Sequence, residues 1–150
     1  MSTDVDEFIE IAHTGSIVGY SVVLYNGSGG AVYSTITAPT STSLPDVNGI
    51  RYSVYDIAGI QNGNPDGMAL VAPGNTVLQF LSYGGTFVAV GGPANGMTSI
   101  DIGVSEPGSP VGDSLQLING VWVGPIANTK GAANSAAAAP AAPADRKSVV

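Results

Sequence analysis

The side chains able to do chemistry are few. The chain has one histidine, His13, no cysteine and four cationic residues, Arg51, Lys130, Arg146 and Lys147, among 150 residues. A general base needs a partner within hydrogen-bond reach. The carboxylates on offer in the strand-rich part include Glu7, Glu10, Asp66, Asp101, Glu106 and Asp113. His13 beside one of them is the single acid–base pairing this inventory permits. With no other nitrogen base or thiol close in sequence, the residue reads instead as a structural or surface histidine at a strand end. Glu10 is flanked by Ile9 and Ile11. In a strand it must therefore face solvent or be hydrogen-bonded, and it reads as a structural carboxylate.

The run Asn62-Gly63-Asn64-Pro65-Asp66-Gly67 is rich in oxygen ligands. Asn62, Asn64 and Asp66 are the candidate metal ligands, with Ca2+ as the cation, though the spaced acids and closing glutamate of an EF-hand loop are missing. The competing and favoured reading is a turn held by Asx hydrogen bonds. Gly91-Gly92-Pro93-Ala94-Asn95-Gly96 has the glycine content of a phosphate cradle, but no helix or lysine follows, which excludes a P-loop. Ser16, Ser28 and Ser82 lie beside glycine without the strand–turn–helix context of a nucleophile elbow. Tyr20, Tyr25, Tyr33, Tyr52, Tyr55 and Trp122 are either a carbohydrate- or partner-facing surface or core and edge packing; with aromatics at 7%, packing is the simpler reading. No catalytic or cofactor-binding residue is assigned.

The formal net charge is −7. Nucleic-acid affinity comes largely from Lys and Arg neutralising phosphates, so direct nucleic-acid binding is not expected without a bridging cation. The absence of cysteine removes disulfides, thiolate metal sites and thiol catalysis. Met1 to Glu7 has neither the basic nor the apolar region of a signal peptide, and no apolar run is long enough for a membrane span. Either the protein is cytoplasmic or it is a module cut from a longer secreted chain. The abrupt start, with a strand at Phe8, favours the second.

These residues must be positioned by strands. Charged residues are only 10% while glycine numbers 21 and proline 10, a composition suited to many turns and a neutral polar surface. Strands are predicted over Phe8–His13, Tyr20–Asn26, Ala31–Thr37, Arg51–Ile57, Met68–Ala72, Thr76–Tyr83, Ser114–Ile118 and Val121–Val123. In the second, Tyr20, Val22 and Leu24 alternate with Ser21, Val23 and Tyr25. Asn26-Gly27-Ser28-Gly29-Gly30 and Asn119-Gly120 are hairpin turns. Ala38 to Gly49 is expected to be a mobile loop, and Gly84 to Ser109 a long irregular segment wrapping a sheet edge. From about Gly124 the composition turns to Ala, Pro and Asn, and no amphipathic helix is predicted anywhere.

The opening Phe8-Ile9-Glu10-Ile11-Ala12-His13-Thr14-Gly15 resembles the start of the lamin tail domain, Tyr20 to Asn26 resembles its next strand, and Asp66-Gly67-Met68-Ala69-Leu70-Val71 resembles a later one. Phe8, Glu10, Ile11, Gly15, Asp66 and Leu70 carry the structural motif. Gly59 to Gly67, Phe80 to Tyr83, Gly96 to Val104 and Pro110 to Leu117 resemble the bacterial type, which often accompanies an endonuclease/exonuclease/phosphatase domain in extracellular nucleases. His13 stands where the family usually has asparagine, and Gly84-Gly85 where the bacterial type often has glutamate. The resemblance implies an all-β, immunoglobulin-like β-sandwich over residues 5–126, with 127–150 as an Ala/Pro-rich flexible linker or tail. It implies a non-catalytic accessory or interaction module of a larger extracellular or cell-surface protein, binding a protein domain or surface partner, with self-association through sheet edges as a further expectation. The alternative is a nucleic-acid- or metal-binding module that captures substrate for a nuclease domain lying outside this sequence.

Overall fold

The computed structural model describes residues 5–135 and 148–149. The fold of the described residues is all-β, and they contain no helix. Eleven strands run in chain order: β1 (Phe8–His13), β2 (Ser21–Asn26), β3 (Val32–Ile36), β4 (Ser41–Thr42), β5 (Arg51–Asp56), β6 (Asp66–Ala72), β7 (Thr76–Tyr83), β8 (Ile100–Asp101), β9 (Asp113–Ile118), β10 (Val121–Ala127) and β11 (Ser148–Val149). The chain divides into two compact units, Met1–Ile17 with Pro39–Gly59 and Glu106–Val150, and Val18–Ala38 with Ile60–Ser105.

The first unit holds a sheet in the order β11-β1-β5-β4 and a separate β9–β10 hairpin. β1 and β5 pair antiparallel along their whole length, from Phe8↔Asp56 to His13↔Arg51. Ile9, Ile11, Val54 and Tyr55 are buried. The predicted mobile loop, Ala38 to Gly49, is tied down instead. Ser41 and Thr42 pair with Val54 and Ser53, and Thr40 and Ser43 donate to the Val54 and Tyr52 carbonyls. Asp46 then closes the loop by accepting the N–H groups of Asn48 and Ile50. Ser and Thr content signalled a loop, but their hydroxyls here serve a β-edge.

The β9–β10 hairpin turns at Asn119-Gly120, both with positive φ, as a tight turn that follows strand twist requires. β10 continues past the predicted Val123 to Ala127, with a register shift between Val123 and Ile126. Pro125 has no N–H for the ladder, and a bulge is where a strand tolerates that loss. The expected flexible tail does not begin at 127. Buried Gln116 donates to the Ala127 carbonyl at 2.8 Å and accepts from Thr129 and Ser135, so 128–135 is held to the hairpin. The Ala136 to Ala139 run and the rest of 136–147 lie outside the described residues.

The second unit is one five-stranded sheet, β3-β2-β6-β7-β8, antiparallel except for β7–β8. Both faces of β2 are buried: Val22 and Leu24 on one, Val23 and Tyr25 on the other. The alternation in sequence therefore does not divide an inner from an outer face. Tyr25, Ala69, Val71, Phe80, Phe87 and Ala89 form a core, with Phe80 edge-on to Phe87 at 5.3 Å and tilted to Tyr25 at 5.2 Å. Such aromatic pairs add about 0.5–1.5 kcal/mol each beyond area burial. The Tyr25 hydroxyl also accepts the Ala94 N–H and donates to the Gly91 carbonyl, which pins the glycine-rich stretch. The segment after β7 adds β8 to the sheet edge, Leu81 and Ser82 facing Ile100 and Asp101.

Candidate functional site

Chemistry-bearing side chains gather in two places, one in each unit. In the first, β1 and β5 bring His13 and Ser53 to one face, with β4 adding Thr42. His13 Nδ1 lies 3.0 Å from the Gly15 carbonyl, which can only accept, so Nδ1 carries the proton. Nε2 is then the acceptor for the Ser53 hydroxyl at 2.8 Å. Ser53 Oγ in turn lies 2.7 Å from Thr42 Oγ1, which donates to it. The arrangement has the connectivity of a serine–base pair. Yet Ser53 is 0% exposed and His13 1%, so neither presents a reactive atom to a substrate. The chain of donors instead satisfies polar groups inside the sheet, where an unpaired one would cost about 1–3 kcal/mol.

The opposite face of β1 carries Glu10, 2% exposed. Its carboxylate accepts the Gly131 N–H at 2.5 Å. Burial pushes its pKa from 4.5 up to about 7, against the lowering effects of the Gly131 N–H and the Lys130 charge. Lys130 itself pairs with Asp56 at 2.5 Å and lies 4.9 Å from the centre of the Phe8 ring. Across the sheet, the Tyr52 hydroxyl donates to Asp46. Burial first, then that bond and the Asp46 and Glu10 charges, push Tyr52 to about 12. Burial works against the Asp46 carboxylate, but donors from Ile50, Asn48 and Tyr52 outweigh it and hold its pKa low. The Tyr55 hydroxyl is buried without a partner, and burial raises its pKa.

In the second unit, the β2–β3 turn and the segment ahead of β6 line an open cleft of about 570 Å³, with Asn26, Ser28, Gln61, Asn62, Asn64 and Asp66 around it. The predicted metal ligands Asn62, Asn64 and Asp66 all line this cleft. Asp66, 3% exposed, uses both oxygens on backbone: Oδ1 accepts from Gly27 at 2.9 Å and Oδ2 from Gly63 at 2.5 Å. Asn26 makes a local Asx bond to the Ser28 N–H. A Cβ on Gly27 would overlap the Pro65 carbonyl, so the two loops approach as closely as only glycine permits. The Asp66 carboxylate therefore acts as a clasp between loops. Among the described residues no group of three or more His, Cys, Asp or Glu is gathered as a metal site.

No family model, curated protein or solved structure matches this chain. Its residues alone carry the functional argument. Among the described residues no helix is long and apolar enough to cross a membrane.

The motif residues are dispersed. Phe8, Glu10 and Ile11 lie on β1 with Gly15 just beyond it, whereas Asp66 and Leu70 lie on β6 in the other unit. The tyrosines do not form one aromatic face: Tyr25, Tyr52 and Tyr55 are buried, and Tyr20, Tyr33 and Trp122 are half-buried. Sequence reasoning missed Thr42, Ser53, Lys130 and Gly131. Each matters through pairing with a residue distant in the chain, and no local pattern announces that.

Proposed function

We propose that the chain is a non-catalytic interaction module, an immunoglobulin-like β-sandwich of the lamin-tail type, belonging to a larger extracellular or surface protein and serving a nuclease. The observation that carries the non-catalytic part is the fate of the reactive groups. His13, Ser53, Glu10 and Asp66 are all buried, and their polar atoms are spent on backbone or on each other. A catalytic group needs a face open to substrate. The fold supports the sandwich reading through its antiparallel sheets and short turns. The lamin-tail and nuclease parts rest on the resemblance of residues 8–15, 59–67, 96–104 and 110–117.

The test is fluorescence anisotropy of labelled duplex DNA titrated with the protein at low salt, with and without Ca2+, beside an assay for metal-dependent DNA hydrolysis. No binding and no turnover support a protein-facing module. Saturable, Ca2+-dependent binding would replace this reading with a cation-bridged substrate-capturing module, the cleft beside Asn62 and Asn64 being the place to look for the cation. Turnover lost on substituting His13 would overturn the non-catalytic reading altogether.

A further inference from the structure

The outer edge of β1 is where this protein meets an extended strand. The Glu7 carbonyl accepts from the Ile57 N–H, which sets the alternation along the β1–β5 ladder. Ile9, Ile11 and His13 turn their backbone groups toward β5, while Glu10 and Ala12 turn theirs outward. β5 satisfies one side of β1 over six residue pairs. On the other side the pairing is different in kind. Among the described residues, Ser148 and Val149 are seated there, antiparallel, as Ala12↔Ser148 and Ile11↔Val149. The first of these is the pair that exchanges backbone hydrogen bonds.

A bare sheet edge is a template for another strand, and natural proteins cover or charge such edges. Here the described cover, Ser148–Val149, comes from far along the chain. Its sequence context is opposite in charge to the rest. Arg146 and Lys147, two of the four cationic residues, directly precede it, and ten of the eleven acidic residues lie before residue 136. In an added strand of this kind main-chain bonds supply the affinity.

We propose that the outer edge of β1 is a strand-addition site for an extended, basic-led peptide segment of a partner protein, and that Ser148–Val149 is a tethered occupant that such a segment must displace. This rests on the reading of the chain as an interaction module and gives that module its mode of binding. A tethered competitor has the advantage of high effective concentration, so the partner engages weakly until the tail is released.

Hydrogen exchange on the full chain tests it, independently of any DNA readout. Ser148→Pro removes the N–H that donates to the Ala12 carbonyl, one of the two bonds of that pair, and so unseats the strand whose Ser148 carbonyl accepts the Ala12 amide. The Ala12 amide should exchange at least about tenfold faster in this variant, while the Ile11 amide, facing β5, keeps its protection and reports an intact sheet. A fluorescent peptide of residues 144–150 should bind the variant at least about tenfold more tightly than the unaltered chain and restore protection at Ala12. Unchanged exchange at Ala12 would overturn the occupancy. A deprotected Ala12 with no peptide binding at millimolar concentration would overturn the site. A dimer in light scattering that Ser148→Pro dissolves would also overturn it, because the strand would then come from a second copy.

Discussion

Gly131 donates its backbone N–H to the Glu10 carboxylate across 121 positions of sequence. That bond joins the segment after β10 to β1, and it makes the joint sensitive to proton concentration. The folded-state pKa of Glu10, about 7, lies above the ordinary 4.5. The folded protein therefore holds this proton more tightly than the unfolded chain does. The resulting stability is fully present below about pH 4.5, is lost as pH rises to about 7, and stays lost above it; the span is up to about 3 kcal/mol. Glu10→Gln keeps an acceptor for Gly131 and removes the charge. Urea unfolding should show a flatter stability profile between pH 4.5 and 7, and a variant more stable than the parent at pH 8.

Lys130 sits between Asp56 and Glu10, half-exposed with side-chain accessibility of 37%. Exposed ion pairs contribute at most about 1 kcal/mol and weaken with salt. Lys130→Ala should cost no more than that at low ionic strength. Because the Lys130 charge lowers the Glu10 pKa, its loss should also move the Glu10 titration to higher pH. Carbon-detected NMR of the Glu10 carboxyl measures the direction.

The hydroxyl of Tyr55 is buried and has no partner, although the ring is 0% exposed and well packed. An unsatisfied buried donor costs about 1–3 kcal/mol. Tyr55→Phe should accordingly raise the unfolding midpoint, with a gain of about 1 kcal/mol. A loss of stability would mean that the hydroxyl has a partner in solution.

Asp66 holds two backbone N–H groups from two different loops. Asp66→Ala orphans both, and about 2–4 kcal/mol of stability should be lost. Asp66→Asn, which can retain one acceptor, should lose about half as much. If Ca2+ raised the melting temperature of the parent but not of these variants, the clasp would double as a cation ligand.

Much of the strand pattern can be read from the sequence, for definite reasons. β2 and β7 are runs of β-branched and aromatic residues bounded by Asn and Gly turns, and Asn119-Gly120 carries its own positive-φ requirement. The Ser/Thr-rich stretch before Asp46 misleads, because a two-residue edge strand such as β4 is made by its partner β5 and by hydroxyl bonds. Residues 128–135 mislead for the same reason: small, polar residues look unstructured until Gln116 and Glu10 supply partners. The polar clusters were legible only by halves. Asp66 stands in a conspicuous turn motif, but that its second oxygen reaches Gly27 depends on a fold that brings positions 39 apart together. His13 draws notice as the lone histidine, while Ser53 and Thr42 are indistinguishable from any other hydroxyl in the chain.

The separation of Glu10 and Gly131 also sets an order of events during translation. β1 leaves the ribosome before β5, which must follow before its inner edge is paired, and Gly131 emerges 121 residues after Glu10. At about 5–20 residues per second, the wait is on the order of ten seconds. Through that interval Glu10 stays in water as an ordinary ionised carboxylate, and the nascent chain carries it as a solubilising charge beside Ile9 and Ile11. The Glu10–Gly131 bond can close only after that interval, so the same side chain that is a charge on the half-made strand becomes an acceptor in the finished one.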